Sequence, residues 1–199
     1  MHSKPAVFNH SFIAKLAILC LPSLFLLTAL GQRKHEPPVV EDFEHRAQQY
    51  LDTHKETHVD IKPSGSAAKI DQEKQEARQK IKQARPEAKQ GDIFTPAIGN
   101  YFREQLAITL QGPDGAKIRA SLRHAEPLPN LRLRVNSRYP HNLPLQSTPP
   151  TLLANLPYLP GELQYRIVGR TLVLYDVSSG LIADLLPNAI SDQNKIKGK

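Results

Sequence analysis

An α+β fold is predicted for this chain. A helical amino-terminal half of about three helices leads through a proline-rich segment to a small carboxyl-terminal antiparallel meander of three strands. Three observations predict it. Apolar residues recur at helical spacing between residue 38 and about residue 111. Prolines then punctuate the chain at 140, 144, 149, 150, 157 and 160. Finally, Leu163–Val168 and Thr171–Asp176 are rich in strand-forming residues and stand either side of Gly169-Arg170, a two-residue loop with glycine first, as a type II′ hairpin turn requires.

Ahead of the first helix, Lys4 and Lys15 precede an apolar run from Leu16 to Leu30, which exits through Ala29-Leu30-Gly31 into Gln32-Arg33-Lys34. A basic start, a short greasy run and a small-x-small exit are the parts of a secretory signal. Residues 1–31 are therefore expected to be removed, with Ala29 and Gly31 filling the shallow pockets of signal peptidase. The run is 15 residues long and holds Pro22, whereas a bilayer-spanning helix wants about 20 apolar residues. An uncleaved inner-membrane anchor is the alternative. Cys20 follows the bulky pair Ile18-Leu19, which does not fit a lipobox.

Removal of the signal takes the sole cysteine with it and leaves 24 basic side chains against 19 acids, a net charge of +5. Stability must then come from a core rather than disulfides, in a periplasmic or extracellular setting. Nucleic acid is not an expected partner, and membrane contact is expected only through the signal before cleavage.

Val40, Phe43, Ala47, Tyr50 and His54 define one face of the first helix, with Glu41, Glu44, Gln48, Asp52 and Lys55 opposite. A linker is expected near 61–66. In the second helix, about 67–85, Ile70, Ala77, Ile81 and Ala84 make a thin stripe among charges, which predicts docking on a partner or on the first helix. Thr95-Pro96 starts the third helix, whose Ile98, Tyr101, Phe102, Leu106 and Leu110 give the widest apolar face. Residues 116–124 fit a strand or a short helix, and the reading leans to helix. Leu131, Leu133 and Val135 alternate with Arg132, Arg134 and Asn136 as a half-buried strand would. Residues 151–156 allow one or two helical turns. The domain plan is thus 32–90 helical and partly extended, 91–190 a compact α+β domain, and 191–199 a disordered tail.

For chemistry, His54 and His58 stand four apart and could share a divalent metal, with Asp52, Glu56 and Asp60 near and His35 and His45 adding to the local richness. Against this stands the plainer reading of exposed polar residues, with His54 partly covered by the stripe of the second helix. The cations of the second helix, from Lys69 to Lys89, read as a solvated face paired by interleaved acids. Arg132, Arg134 and Arg138, with Tyr139 and His141, form a candidate anion patch. Asp176 and Asp184 read as turn acids. No nucleophile elbow, phosphate loop or His-Glu-x-x-His motif is present, so no catalytic residue and no cofactor is expected.

The run PPTLLANLPYLPGELQYRIVGRTLVLYDVSSGLIADLLPNAI, with AKQGDIFTPAI and VNSRYPHNLPL, resembles the end of a group of uncharacterised exported bacterial proteins, over roughly residues 38–190. The pattern LPxLPxxLxYRxVGxxLVLxD also resembles the carboxyl-terminal module of periplasmic nickel/cobalt-homeostasis proteins, over about 35 residues. The first resemblance implies export and the second the periplasm; neither carries a catalytic or metal-binding residue onto this chain. The resulting expectation is a non-enzymatic interaction module that self-associates or engages an envelope protein. A metal-responsive protein using His54 and His58, and an enzyme of unrecognised type, are the alternatives.

Overall fold

Proline suits a first helical turn because its missing N–H would have had no intrahelical partner there. Helix α1 (Pro38–Glu56) begins on such a proline and buries Val40, Phe43, Ala47, Tyr50 and His54, the face its period predicts, together with Leu51. The structure, a computed structural model, describes residues 36–57, 65–123, 132–140 and 148–191. The expected signal with Ala29 and Gly31, His58, most of the 61–66 linker and the tail beyond Ser191 lie outside those residues.

Helix α2 (Ala67–Ala84) starts where the Ser66 hydroxyl accepts the Lys69 N–H. Helix α3 (Pro96–Gln111) is capped in the same way, by Thr95 on the Ile98 N–H, and ends at Gly112. The ambiguous stretch after it is helical, as α4 (Gly115–Arg123). A single turn, α5 (Pro150–Leu153), sits in the proline-rich segment and buries Leu152. Strands β1 (Leu163–Val168), β2 (Thr171–Asp176) and β3 (Ile182–Leu186) form an antiparallel meander in the order β1-β2-β3. In the β1–β2 turn Gly169 has φ 58° and Arg170 has no positive φ, so the positive φ falls at the first loop position alone, as the predicted type II′ turn requires.

The half-buried strand expected at 131–135 does not form. Residues 132–134 are irregular, 135–136 turn, and Asn136 takes a left-handed φ of 58°, which a strand cannot contain. What survives is a short lash. Asn136 N–H donates to the Ile182 carbonyl, Ile182 N–H to that of Ser137 and Tyr139 N–H to that of Gly180, with one bridge between Arg138 and Leu181. Leu133 and Val135 still pack inward, as the alternation required. Leu131 lies outside the described residues.

The lash explains why the sheet is covered on both faces. On one side Leu172, Leu174, Ala183 and Leu186 meet Phe43, Ile81, Phe102, Leu106 and Leu152. On the other, Val173, Ile182 and Leu185 meet Tyr139, Leu133 and Val135, so every residue of β3 is buried. The larger core centres on Phe43, Phe94, Phe102 and Tyr165, whose rings stand 4.9–6.3 Å apart in tilted, stacked and edge-on pairs. Each such ring, fully buried, adds about 1.5–3 kcal/mol through removal of apolar area from water. Gly99 allows α3 its approach to β3: a Cβ there would lie 2.8 Å from Leu186 Cδ1. This core runs straight through residue 90, joining Phe43 and Ile81 to the elements that follow. Among the described residues no helix is long and apolar enough to cross a membrane.

Candidate functional site: a cationic cleft beside α2

Two aspartates in the apolar strands are fully buried, and each must gather hydrogen bonds to offset the loss of water. Asp184 does so through the main chain. Gly91 N–H and Leu185 N–H donate to Oδ1, Ile93 N–H and Phe94 N–H to Oδ2, at 2.7–3.0 Å. Burial raises its carboxyl above the ordinary value, and the four N–H groups pull the other way. The carboxylate fixes the loop that delivers Thr95 to the start of α3.

Asp176 closes β2 and organises the β2–β3 turn. Its Oδ1 accepts the Ser178 N–H, the Ser178 hydroxyl and the Ser179 N–H at 2.9, 2.6 and 3.1 Å. Its Oδ2 accepts the Tyr50 hydroxyl at 2.7 Å. Burial, followed by the charge of Asp176, holds the Tyr50 phenol well above its usual range, so it remains a donor. His54 Nε2 lies 2.7 Å from Ser178 Oγ and 3.6 Å from Asp176 Oδ2. Serine, histidine and aspartate thus meet, but not in hydrolase order. One ring nitrogen faces both oxygens, and the serine hydrogen goes directly to the carboxylate instead of to the imidazole. The knot ties α1 to the turn across 126 residues of sequence.

Helix α2 reaches the same turn from outside. Arg78 Nη1 donates to the Ser179 carbonyl at 3.0 Å and Lys74 Nζ to the Val177 carbonyl at 3.2 Å. At the helix end, Arg85 stacks over the Tyr50 ring at 4.7 Å, and Asn136 Nδ2 donates to the Arg85 carbonyl at 2.7 Å. The predicted stripe holds at Ala77 and Ile81, both wholly buried, while Ala84 is exposed. The helix expected to lie on a partner or on the first helix packs beside α1 and is tied to the β2–β3 turn.

Between α2, the turn and the lash lies a cleft of about 390 Å³, at the small end of the 300–1,000 Å³ usual for ligand sites. Among the described residues Lys74, Arg78 and Arg138 supply positive charge and Asp71 the only negative charge; Ile70, Pro140, Tyr139 and Tyr175 supply apolar wall. Asp71 and Arg138 pair across it at 2.9 Å, both about half exposed. The two tyrosine rings tilt together with centroids 5.1 Å apart, and Arg166 stacks over Tyr175 at 5.4 Å. Burial raises both phenols above their ordinary values, which keeps their hydroxyls protonated. Burial, with Arg138 next, lowers the Arg78 guanidinium, because two cations share a partly dry space. A second, larger depression of about 740 Å³ along β1 has Arg166 as its sole charged lining residue among the described residues.

Of the residues singled out in the sequence, Arg138 and Tyr139 enter this cleft, whereas Arg132 and Arg134 are exposed and do not line it. His141 and His58 lie outside the described residues. His54 belongs to the buried knot. Among the described residues no group of three or more His, Cys, Asp or Glu is placed to hold a metal. Lys74 and Arg78, assigned to a solvated face, were missed, although a signal existed: positions 70, 74, 77, 78 and 81 fall on one side of a 3.6-residue helix, so both cations sit inside the stripe. Fold and site together define a small α+β protein with a basic, tyrosine-walled cleft. In comparisons with protein-family models, curated proteins and solved structures, the chain matches none.

Proposed function

We propose that this chain is an exported, non-enzymatic binding module, periplasmic in setting, which engages an anionic group of an envelope partner or ligand through the α2 cleft. The observation that carries the reading is the convergence of Lys74, Arg78 and Arg138 on one concave, aromatic-walled space whose sole acid among the described residues is Asp71. Positive charge held against low-dielectric walls attracts anions more strongly than the same charge dispersed on a surface. Calorimetric titration of the full-length chain with acetate, sulfate and inorganic phosphate at low ionic strength tests it. Saturable binding that disappears in a Lys74→Gln/Arg138→Gln variant is expected; heats equal to the buffer blank for all three anions defeat the reading. Intact-mass measurement of the native protein tests export, with Gln32 expected as first residue.

A metal-responsive role is the second reading, favoured by the approach of an imidazole nitrogen to a carboxylate at His54 and Asp176. Nickel, cobalt, copper and zinc titrations of the wild type against His54→Ala/His58→Ala decide it. Equal heats in both remove it.

A further inference from the structure

The cleft has a floor, and the floor is a glycine. Gly180 turns with φ 73°, and the position its Cβ would occupy lies 3.7 Å from Arg78 Nη1 and 3.8 Å from the Tyr175 hydroxyl. A guanidinium edge and a phenol therefore converge on the same small vacancy. Arg78 Nη1 commits one hydrogen to the Ser179 carbonyl and carries a second. Lys74 spends one of three donors on the Val177 carbonyl. Arg78 from α2 and Tyr175 from β2 stand over Gly180, while Lys74 from α2 and Arg138 from the lash line the rest of the cleft.

Resting on the anion-binding reading above, we infer that the cleft's ligand is a phosphate monoester borne on a flat, aromatic carrier, with its phosphoryl group seated over Gly180. Charge count favours a dianion. Among the described residues, three cations less Asp71 leave two positive charges in the lining, and a phosphate monoester carries about −1.5 to −2 near neutral pH, where a carboxylate carries one. Shape favours it as well. A tetrahedral oxyanion offers acceptors to donors arriving from several sides, whereas the two oxygens of a carboxylate lie in one plane. The paired rings of Tyr139 and Tyr175, with Ile70 and Pro140, supply a wall for a flat group attached to the phosphate. Such a ligand also relieves the crowding of Arg78 by Arg138, and it trades places with Asp71 as the partner of Arg138.

The full-length chain is titrated with phenyl phosphate, glycerol phosphate, inorganic phosphate and benzoate. Phenyl phosphate is expected to bind on the order of tenfold more tightly than any of the other three, the factor one good charge-assisted contact or ring contact supplies. Tyr175→Phe keeps the ring and removes the hydroxyl. Arg138→Gln alters a half-exposed side chain outside the core. Each should weaken phenyl phosphate several-fold with an unchanged melting temperature. Benzoate binding as tightly as phenyl phosphate overturns the phosphate assignment while leaving anion binding intact. Glycerol phosphate matching phenyl phosphate overturns the aromatic carrier. Unchanged phenyl phosphate affinity in both variants overturns the seat over Gly180. Silence from all four compounds defeats the underlying reading as well.

Discussion

Helices α2 and α3 border the same sheet and are held to it by different physics. Helix α3 buries Ile98, Phe102, Leu106 and Leu110 and relies on apolar area. Helix α2 buries two small apolar patches, Ala77 and Ile81, and completes its docking with long cations that grasp carbonyls of the β2–β3 turn. Even α3 adds one such tie, from Arg103 Nη2 to the Pro187 carbonyl, but beside four large buried apolar side chains. A helix moored by cations keeps unused donors at its margin, and the cleft lies there. The contrast teaches that a thin apolar stripe on a charged helix marks a mooring as readily as a missing partner.

The largest test of that contrast is Phe102→Ala on α3. Phe102 is wholly buried against Phe43, Phe94, Tyr101 and Tyr165, and its loss should cost about 3–5 kcal/mol in urea unfolding. Asp184→Asn comes next, because it loosens the loop that leads into α3. An amide nitrogen in place of one carboxylate oxygen leaves two buried N–H groups facing a donor, a cost of about 2–4 kcal/mol. The pH dependence has a definite sign. With the folded Asp184 pKa raised, the folded state binds more protons than the unfolded one between the two values. Stability from this group is therefore complete below the unfolded pKa and declines as pH rises through the folded one. Wild type measured against Asp184→Asn should show its advantage shrinking across that interval.

On α2 the expected costs are smaller. Arg78→Leu keeps bulk but leaves the Ser179 carbonyl without its charged donor, for about 1.5–3 kcal/mol. A change indistinguishable from zero breaks the mooring argument. Smallest is Asp71→Asn. Its ion pair with Arg138 is half exposed, so stability should shift by less than about 1 kcal/mol, while affinity for inorganic phosphate should rise as the internal competitor disappears.

Much of the fold was legible because periodicity and turn chemistry agree along this chain. The inward face of α1, the Thr95 cap, the glycine-first hairpin and the three-stranded meander all follow from local rules. The region around Asn136 was not legible. Alternation at 131–135 reports which side chains face inward, but the left-handed Asn136 that replaces the expected strand with a turn depends on bonds to Ile182 and Arg85, remote in sequence. The site was half visible. Arg138 and Tyr139 stood out as basic and aromatic neighbours, whereas Lys74 and Arg78 resembled any solvated cation until the turn carbonyls were placed beside them. Asp176 and Asp184 looked like turn acids, and their burial follows from contacts with α1 and with residues 91–94.

The lash along β3 has one more consequence. A sheet border with free main-chain groups is a template on which another copy can extend the ladder. Here Asn136, Ser137 and Tyr139 bond the main chain at Gly180 and Ile182, where β3 begins, while Pro160 and Thr148 engage the N–H groups of Leu163 and Ile167 on the opposite border. At Gly180 and Ile182 on one margin, and at Leu163 and Ile167 on the other, the main-chain groups a second strand would need are already engaged within this chain.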